Sequence, residues 1–76
     1  MNSVADVFEN RSGVVDSFDE TAGLGSIRDA KDGREWPFHC TRIADGSRSM
    51  DPQTEVTYVV RPGPAGLEAV EVRPAT

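Results

Sequence analysis

His39 and Cys40 are the chain's only histidine and only cysteine, and they are adjacent. An imidazole next to a thiol is the pairing that nucleophilic enzymes use to generate a thiolate. On an extended strand, however, neighbouring side chains leave opposite faces, which sets these two apart. Zinc asks for three or four ligands at suitable spacing, and no second His or Cys exists. Asp29, Asp32 and Glu35 concentrate carboxylates without the spacing of a calcium loop, and they read as solvated. No catalytic residues, metal or other cofactor are therefore expected. Cys40 reads as a buried or half-buried filler, with a redox-sensing thiol as the sharper alternative.

Arg28, Lys31, Arg34, Arg42 and Arg48 could do chemistry of another kind, holding the phosphates of a nucleic acid. Each also has a plainer reading as the ion-pair partner of a nearby carboxylate. Thirteen acidic residues against eight basic ones leave a formal charge of −5. That total argues against a broad phosphate-neutralising surface, although a small positive face can coexist with an acidic back.

With 76 residues the chain makes one small domain at most. A domain of this size buries only about 60% of its unfolded surface, so its stability margin is thin. The lone thiol points to a reducing compartment, with the cytoplasm as the default location. The start Met1-Asn2-Ser3-Val4-Ala5-Asp6 has neither the basic residues nor the apolar run of a secretory signal. No stretch approaches the length of a membrane span.

The elements that must position these groups follow from punctuation and alternation. Residues 1–12 read as a separate arm, with Val4, Val7, Phe8 and Arg11 at helical spacing behind a Ser3 cap. That arm is either a frayed terminus or an amphipathic turn that docks on this domain or a partner. From residue 13 to residue 76 the pattern is short β segments broken by Gly, Pro and Asp. Strands are predicted over 13–19, 24–29, 36–40, 55–61 and 67–73. A helical turn is expected around Thr41 to Ile43, and Pro62 to Gly66 reads as a turn. Val56, Tyr58 and Val60 share one strand face, as do Trp36 and Phe38, and both sets read as core. Pro37 cannot donate to a ladder and marks an edge strand. Five short strands with one long connection after the third suit an all-β, antiparallel barrel of the OB type.

Two motifs carry a resemblance. Ala22-Gly23-Leu24-Gly25-Ser26-Ile27 and Pro37-Phe38-His39-Cys40 are similar to the two RNA-binding motifs of bacterial cold-shock proteins, whose first motif runs basic, Gly, aromatic, Gly, aromatic, Ile. Gly13, Val15 and Phe18, then Ile43, then Val56, Tyr58 and Val60, then Gly66, Ala69 and Val72 fall in family order. The resemblance implies the five-stranded barrel over residues 13–73. It also implies single-stranded RNA or DNA as partner, bound by bases stacking on an aromatic platform.

That platform has been largely replaced. Its aromatic positions correspond here to Ser17, Leu24, Ser26, Pro37, Cys40 and Ser47, and only His39 keeps the family's residue. Basic places correspond to Asp16 and Ala22, and two amide places in the last strand to Glu68 and Glu71. Each base stacked on an aromatic is worth roughly 1–3 kcal/mol, against about 8 kcal/mol for a whole micromolar complex. The usual mode should be crippled.

Two functions remain open. One is weak, non-specific binding of single-stranded RNA or DNA, of the nucleic-acid chaperone type. It would use His39, Arg28, Arg42 and Arg48, with close approach of the chain at Gly23 and Gly25. The other is a protein-interaction module, with Ser17, Leu24, Ser26 and Cys40 as a neutral patch rimmed by Asp16, Glu68 and Glu71. His39 either touches a base or is a surface histidine inherited with the fold.

Overall fold

β-Branched and aromatic residues in alternation give five strands, and a computed structural model describes residues 10–64 and 66–75 of them and their connections. They are β1 (Arg11–Asp19), β2 (Leu24–Asp29), β3 (Glu35–His39), β4 (Glu55–Gly63) and β5 (Gly66–Pro74). A single 3-10 turn, Cys40–Arg42, follows β3. All pairings are antiparallel, in the order β3-β2-β1-β4-β5. The sheet curls until β3 packs on β5, where one parallel bridge joins Ile43 to Val72. The result is the expected OB-type barrel.

Several boundaries differ from those read in the sequence. β1 starts at Arg11, because Arg11 and Ser12 pair with Tyr58 and Thr57 of β4, so these two residues belong to the barrel. The rest of the expected arm, residues 1–9, lies outside the described residues. The ladder between β4 and β5 runs on to Gly63 and Gly66, absorbing much of the expected turn into a tight hairpin. Cys40 leaves the strand and opens the 3-10 turn.

The interior collects one face of every strand. Val15, Ile27 and Phe38 come from β1 to β3, Val56, Tyr58 and Val60 from β4, and Ala69 and Val72 from β5. Ile43 and Met50, from the connection between β3 and β4, complete it. Trp36 is half-buried against this cluster, as its shared parity with Phe38 requires, and Phe18, three residues after Val15, joins it through the register shift in β1.

One acid is inside as well. Asp29 is only 5% exposed, whereas it reads as solvated in the sequence. Its side chain accepts the Tyr58 hydroxyl proton and the backbone N–H groups of Lys31 (2.8 Å) and Asp32 (3.2 Å). Arg11 stands 3.9 Å away and lies over the Trp36 ring at 5.6 Å. Burial alone would raise the Asp29 pKa, but the Tyr58 bond, the two amides and Arg11 outweigh it and hold it below the ordinary carboxylate value. Burial, and then the Asp29 bond, push the Tyr58 hydroxyl well above its usual pKa.

Two bulges shape the sheet. In β1 the register slips between Val15 and Ser17, leaving Asp16 without a partner in β2. In β5 the extra residue lies between Val70 and Arg73, where Glu71 adopts a left-handed φ of 51°. Few residue types other than Gly and Asn tolerate that conformation, and it costs an ordinary residue about 1–2 kcal/mol.

Tyr58→Phe is expected to lower the unfolding free energy by about 1.5–3 kcal/mol, since it removes a hydrogen bond to a buried charge. The pH profile supplies the sign. With a depressed folded pKa, Asp29 stabilises the fold above its unfolded pKa of about 4, and that share is lost as the pH falls below it. With a raised folded pKa, Tyr58 stabilises below its unfolded pKa of about 10, and its share is lost as the pH rises beyond. Thermal melts across pH should show both losses in the parent and no Tyr58 share of the alkaline loss in Tyr58→Phe. Glu71→Gly should raise the urea midpoint, gaining up to about 1 kcal/mol after loss of an exposed ion pair to Arg61.

Candidate functional site

The outer face of β1, β2 and β3 carries the residues singled out in the sequence, and its rows follow from the register. Asp29 N–H donates to Arg34 O (2.8 Å) and Cys40 N–H to Gly23 O (2.8 Å), both in the β2–β3 register. The pairs Leu24–His39, Ser26–Pro37 and Arg28–Glu35 alternate with these, and so are the non-hydrogen-bonded pairs, whose facing Cα atoms approach to about 4.5 Å. Leu24 and His39 are therefore close neighbours, both exposed, with Leu24 at 52%. The next row joins Ser17, Ser26 and Pro37, the two serine hydroxyls being 3.2 Å apart. The third row is charged. Arg28 Nη2 contacts Asp16 Oδ1 at 2.9 Å and Glu35 Oε2 at 3.6 Å.

His39 is fixed by the turn that follows it. Its Nδ1 accepts the Thr41 backbone N–H (3.2 Å) and lies 2.9 Å from the Thr41 hydroxyl. Nδ1 is thus the acceptor nitrogen and Nε2 carries the proton, which makes His39 both a helix-turn cap and a surface donor. Cys40, drawn out of the strand, brings its Sγ to 3.8 Å from the same Nδ1, so the two side chains are not on opposite faces. Thr41 already donates to that nitrogen, which therefore does not serve as a free base for the thiol. Among the described residues no group of His, Cys, Asp and Glu could hold a metal.

The two motif glycines serve the scaffold. Gly23 has φ +69° in the turn between β1 and β2, and a Cβ there would lie 3.0 Å from the Cys40 Sγ. Gly25 lacks a side chain on the core side: a Cβ would come within 2.7 Å of the rings of Phe18 and Phe38. Those rings stack at 5.8 Å with an interplanar angle of 30°, and Gly25 makes the room they need. The side chain that Gly25 lacks would point to the core, not to the outer face.

The remaining cations divide into two groups. Arg42 lies 3.5 Å from Glu68 and Arg61 lies 3.0 Å from Glu71, so both rim carboxylates are matched. Lys31 and Arg34 in the β2–β3 turn, Arg48 in the connection to β4, and Arg73 near the end of β5 are exposed and have no ion pair among the described residues. Ser47 donates its N–H to Asp45 (2.9 Å), and its amide and hydroxyl hold the Asp45 pKa below the usual carboxylate value. The sequence reading missed the Arg11–Trp36 stack and the buried Asp29. The inward parity of Trp36 was the one available signal.

Comparison with known proteins agrees with this geometry. A family described as the 'Cold-shock' DNA-binding domain matches residues 11–75. No curated protein matches the chain. Among solved structures the fold is similar to the drosophila protein Unr CSD456, with a TM-score of 0.74 and 24% identity. That match covers 97% of this chain and 30% of the other, so this chain spans under a third of it. Among the described residues no helix is long and apolar enough to cross a membrane.

Gly25→Ala should lower the unfolding free energy by about 1–3 kcal/mol through overpacking against Phe18 and Phe38, read by urea denaturation. If the glycine instead served only ligand approach, the alanine would leave the urea midpoint where it is.

Proposed function

The chain belongs to the cold-shock domain family, and from that premise we propose that it binds single-stranded RNA or DNA weakly and without sequence preference, in the manner of a nucleic-acid chaperone. The observation that carries this reading is the open outer face of β1 to β3. There Leu24 and His39 stand exposed as a close pair at places where the family stacks bases. An imidazole and an isobutyl group offer contact area to a base but far less stacking than two aromatic rings. His39 Nε2–H adds one donor, and Lys31, Arg34 and Arg48 supply exposed positive charge in the adjoining loops. A reducing compartment such as the cytoplasm suits the free Cys40.

A second reading, a protein-interaction module, is favoured by one specific observation. Arg28 and Arg42, two of the basic residues expected to meet phosphate, are matched by Asp16, Glu35 and Glu68. Ser17, Leu24, Ser26 and Cys40 then become a neutral patch within an acidic rim, suited to a basic protein surface.

Fluorescence anisotropy separates the two. A labelled single-stranded oligonucleotide, pyrimidine-rich or mixed, is titrated with the protein at low and moderate salt. Binding is expected in the range of about 1–100 μM, as for non-specific binders, and should weaken as salt rises. Restoring stacks with Leu24→Phe and Ser26→Phe should tighten it by about tenfold or more per ring. No binding well above about 100 μM protein, by either the parent or the double variant, overturns the reading in favour of a protein partner.

A further inference from the structure

Of the basic residues singled out for phosphate contact, Arg28 alone lies on a strand, and it is held from both sides. Asp16 reaches it from β1 at 2.9 Å and Glu35 from β3 at 3.6 Å. Asp16 follows the inward Val15 and so faces outward, and the bulge, which pairs Ser17 rather than Asp16 with Ser26, leaves it beside Arg28. The trio is half-open, with side-chain exposures of 56% for Arg28, 30% for Asp16 and 49% for Glu35. A phosphate can approach the guanidinium there, yet must displace a carboxylate to keep it. The trio also sums to one negative charge, next to the Ser17–Ser26 row.

We infer that Asp16 and Glu35 set the affinity of this face for a phosphate backbone, acting as built-in competitors for Arg28. Asp16, at the shorter distance and delivered by the bulge, is the stronger competitor. The inference rests on the binding reading above and names the residues that limit it. The exposed ion pairs add little to the fold, so their removal is read in binding rather than in folding.

The test titrates a labelled oligothymidylate with the parent, Asp16→Asn, Glu35→Gln, the Asp16→Asn/Glu35→Gln pair, and that pair carrying Arg28→Gln, each at several salt concentrations. Circular dichroism melts check that each variant folds. The freed guanidinium should tighten binding about tenfold at low salt and steepen the salt slope by about 0.7, the value for one added contact to a single strand. Asp16→Asn alone should give most of this, and Arg28→Gln should abolish it. A pair variant with parental affinity and slope overturns the inference. So does a gain that survives Arg28→Gln, which would reflect only a lower overall negative charge.

The two readings fail separately. Parental binding unchanged in the pair variant defeats the inference alone. A silent parent with binding by the pair variant through Arg28 defeats weak binding by the natural chain and upholds the inference. Silence in both defeats both. If the pair variant does not fold, Asp16→Asn alone, with and without Arg28→Gln, decides the matter on the same criteria.

Discussion

The fold is organised around a carboxylate that has no business in an apolar interior unless it is fully partnered. An ionised group at 5% exposure costs several kcal/mol when left alone, which makes the partners of Asp29 compulsory. They come from every side. Its side chain takes the Tyr58 hydroxyl from β4 and two amides from the turn into β3, while its backbone exchanges hydrogen bonds with Gly33 and Arg34. Ala30 next door donates to Ser12 of β1, and Arg11 spans the gap to Trp36. One residue thereby sets the end of β2, the shape of the β2–β3 turn, and the distance between β2 and β4 across β1.

Around that anchor the two faces of the β1–β2–β3 meander follow different rules. The inner face keeps the large groups, with Phe18 and Phe38 stacked over Gly25 and Ile27 beneath Gly13. The outer face is open and carries little apolar area, with serine hydroxyls, one leucine and one histidine along its rows. Its charges are matched among themselves. Arg28, Arg42 and Arg61 each face a carboxylate at 2.9–3.5 Å, so the cations nearest the face are held by neighbours, while Lys31, Arg34 and Arg48 in the loops have no ion pair among the described residues.

Much of this was legible in the residues. The alternation of Val56, Tyr58 and Val60, the inward parity of Trp36 and Phe38, and the spacing of the glycines led to the barrel and to its outer face. The failures share a cause, which is that local pattern is blind to distant partners. Asp29 sits in a stretch that looks solvated, and the hydroxyl that neutralises its burial is 29 residues away. Neither bulge has a signature: Asp16 reads as one more polar strand residue, and Glu71 is not a residue type that announces its φ of 51°. Cys40 reads as a strand residue because nothing in the sequence marks where the 3-10 turn tightens.

Pro37 has an effect that reaches beyond a single molecule. Because Ser26 and Pro37 form a non-hydrogen-bonded pair, the nitrogen of Pro37 points away from β2, toward the outer margin of a strand only five residues long. That margin has no donor at its centre. β5 meets it by packing, with its one bridge displaced to Val72 and Ile43. A foreign strand would meet the same gap, so the barrel's incomplete closure does not offer a template for fibrillar self-association. At that margin Pro37 leaves no backbone donor for a further strand to pair with.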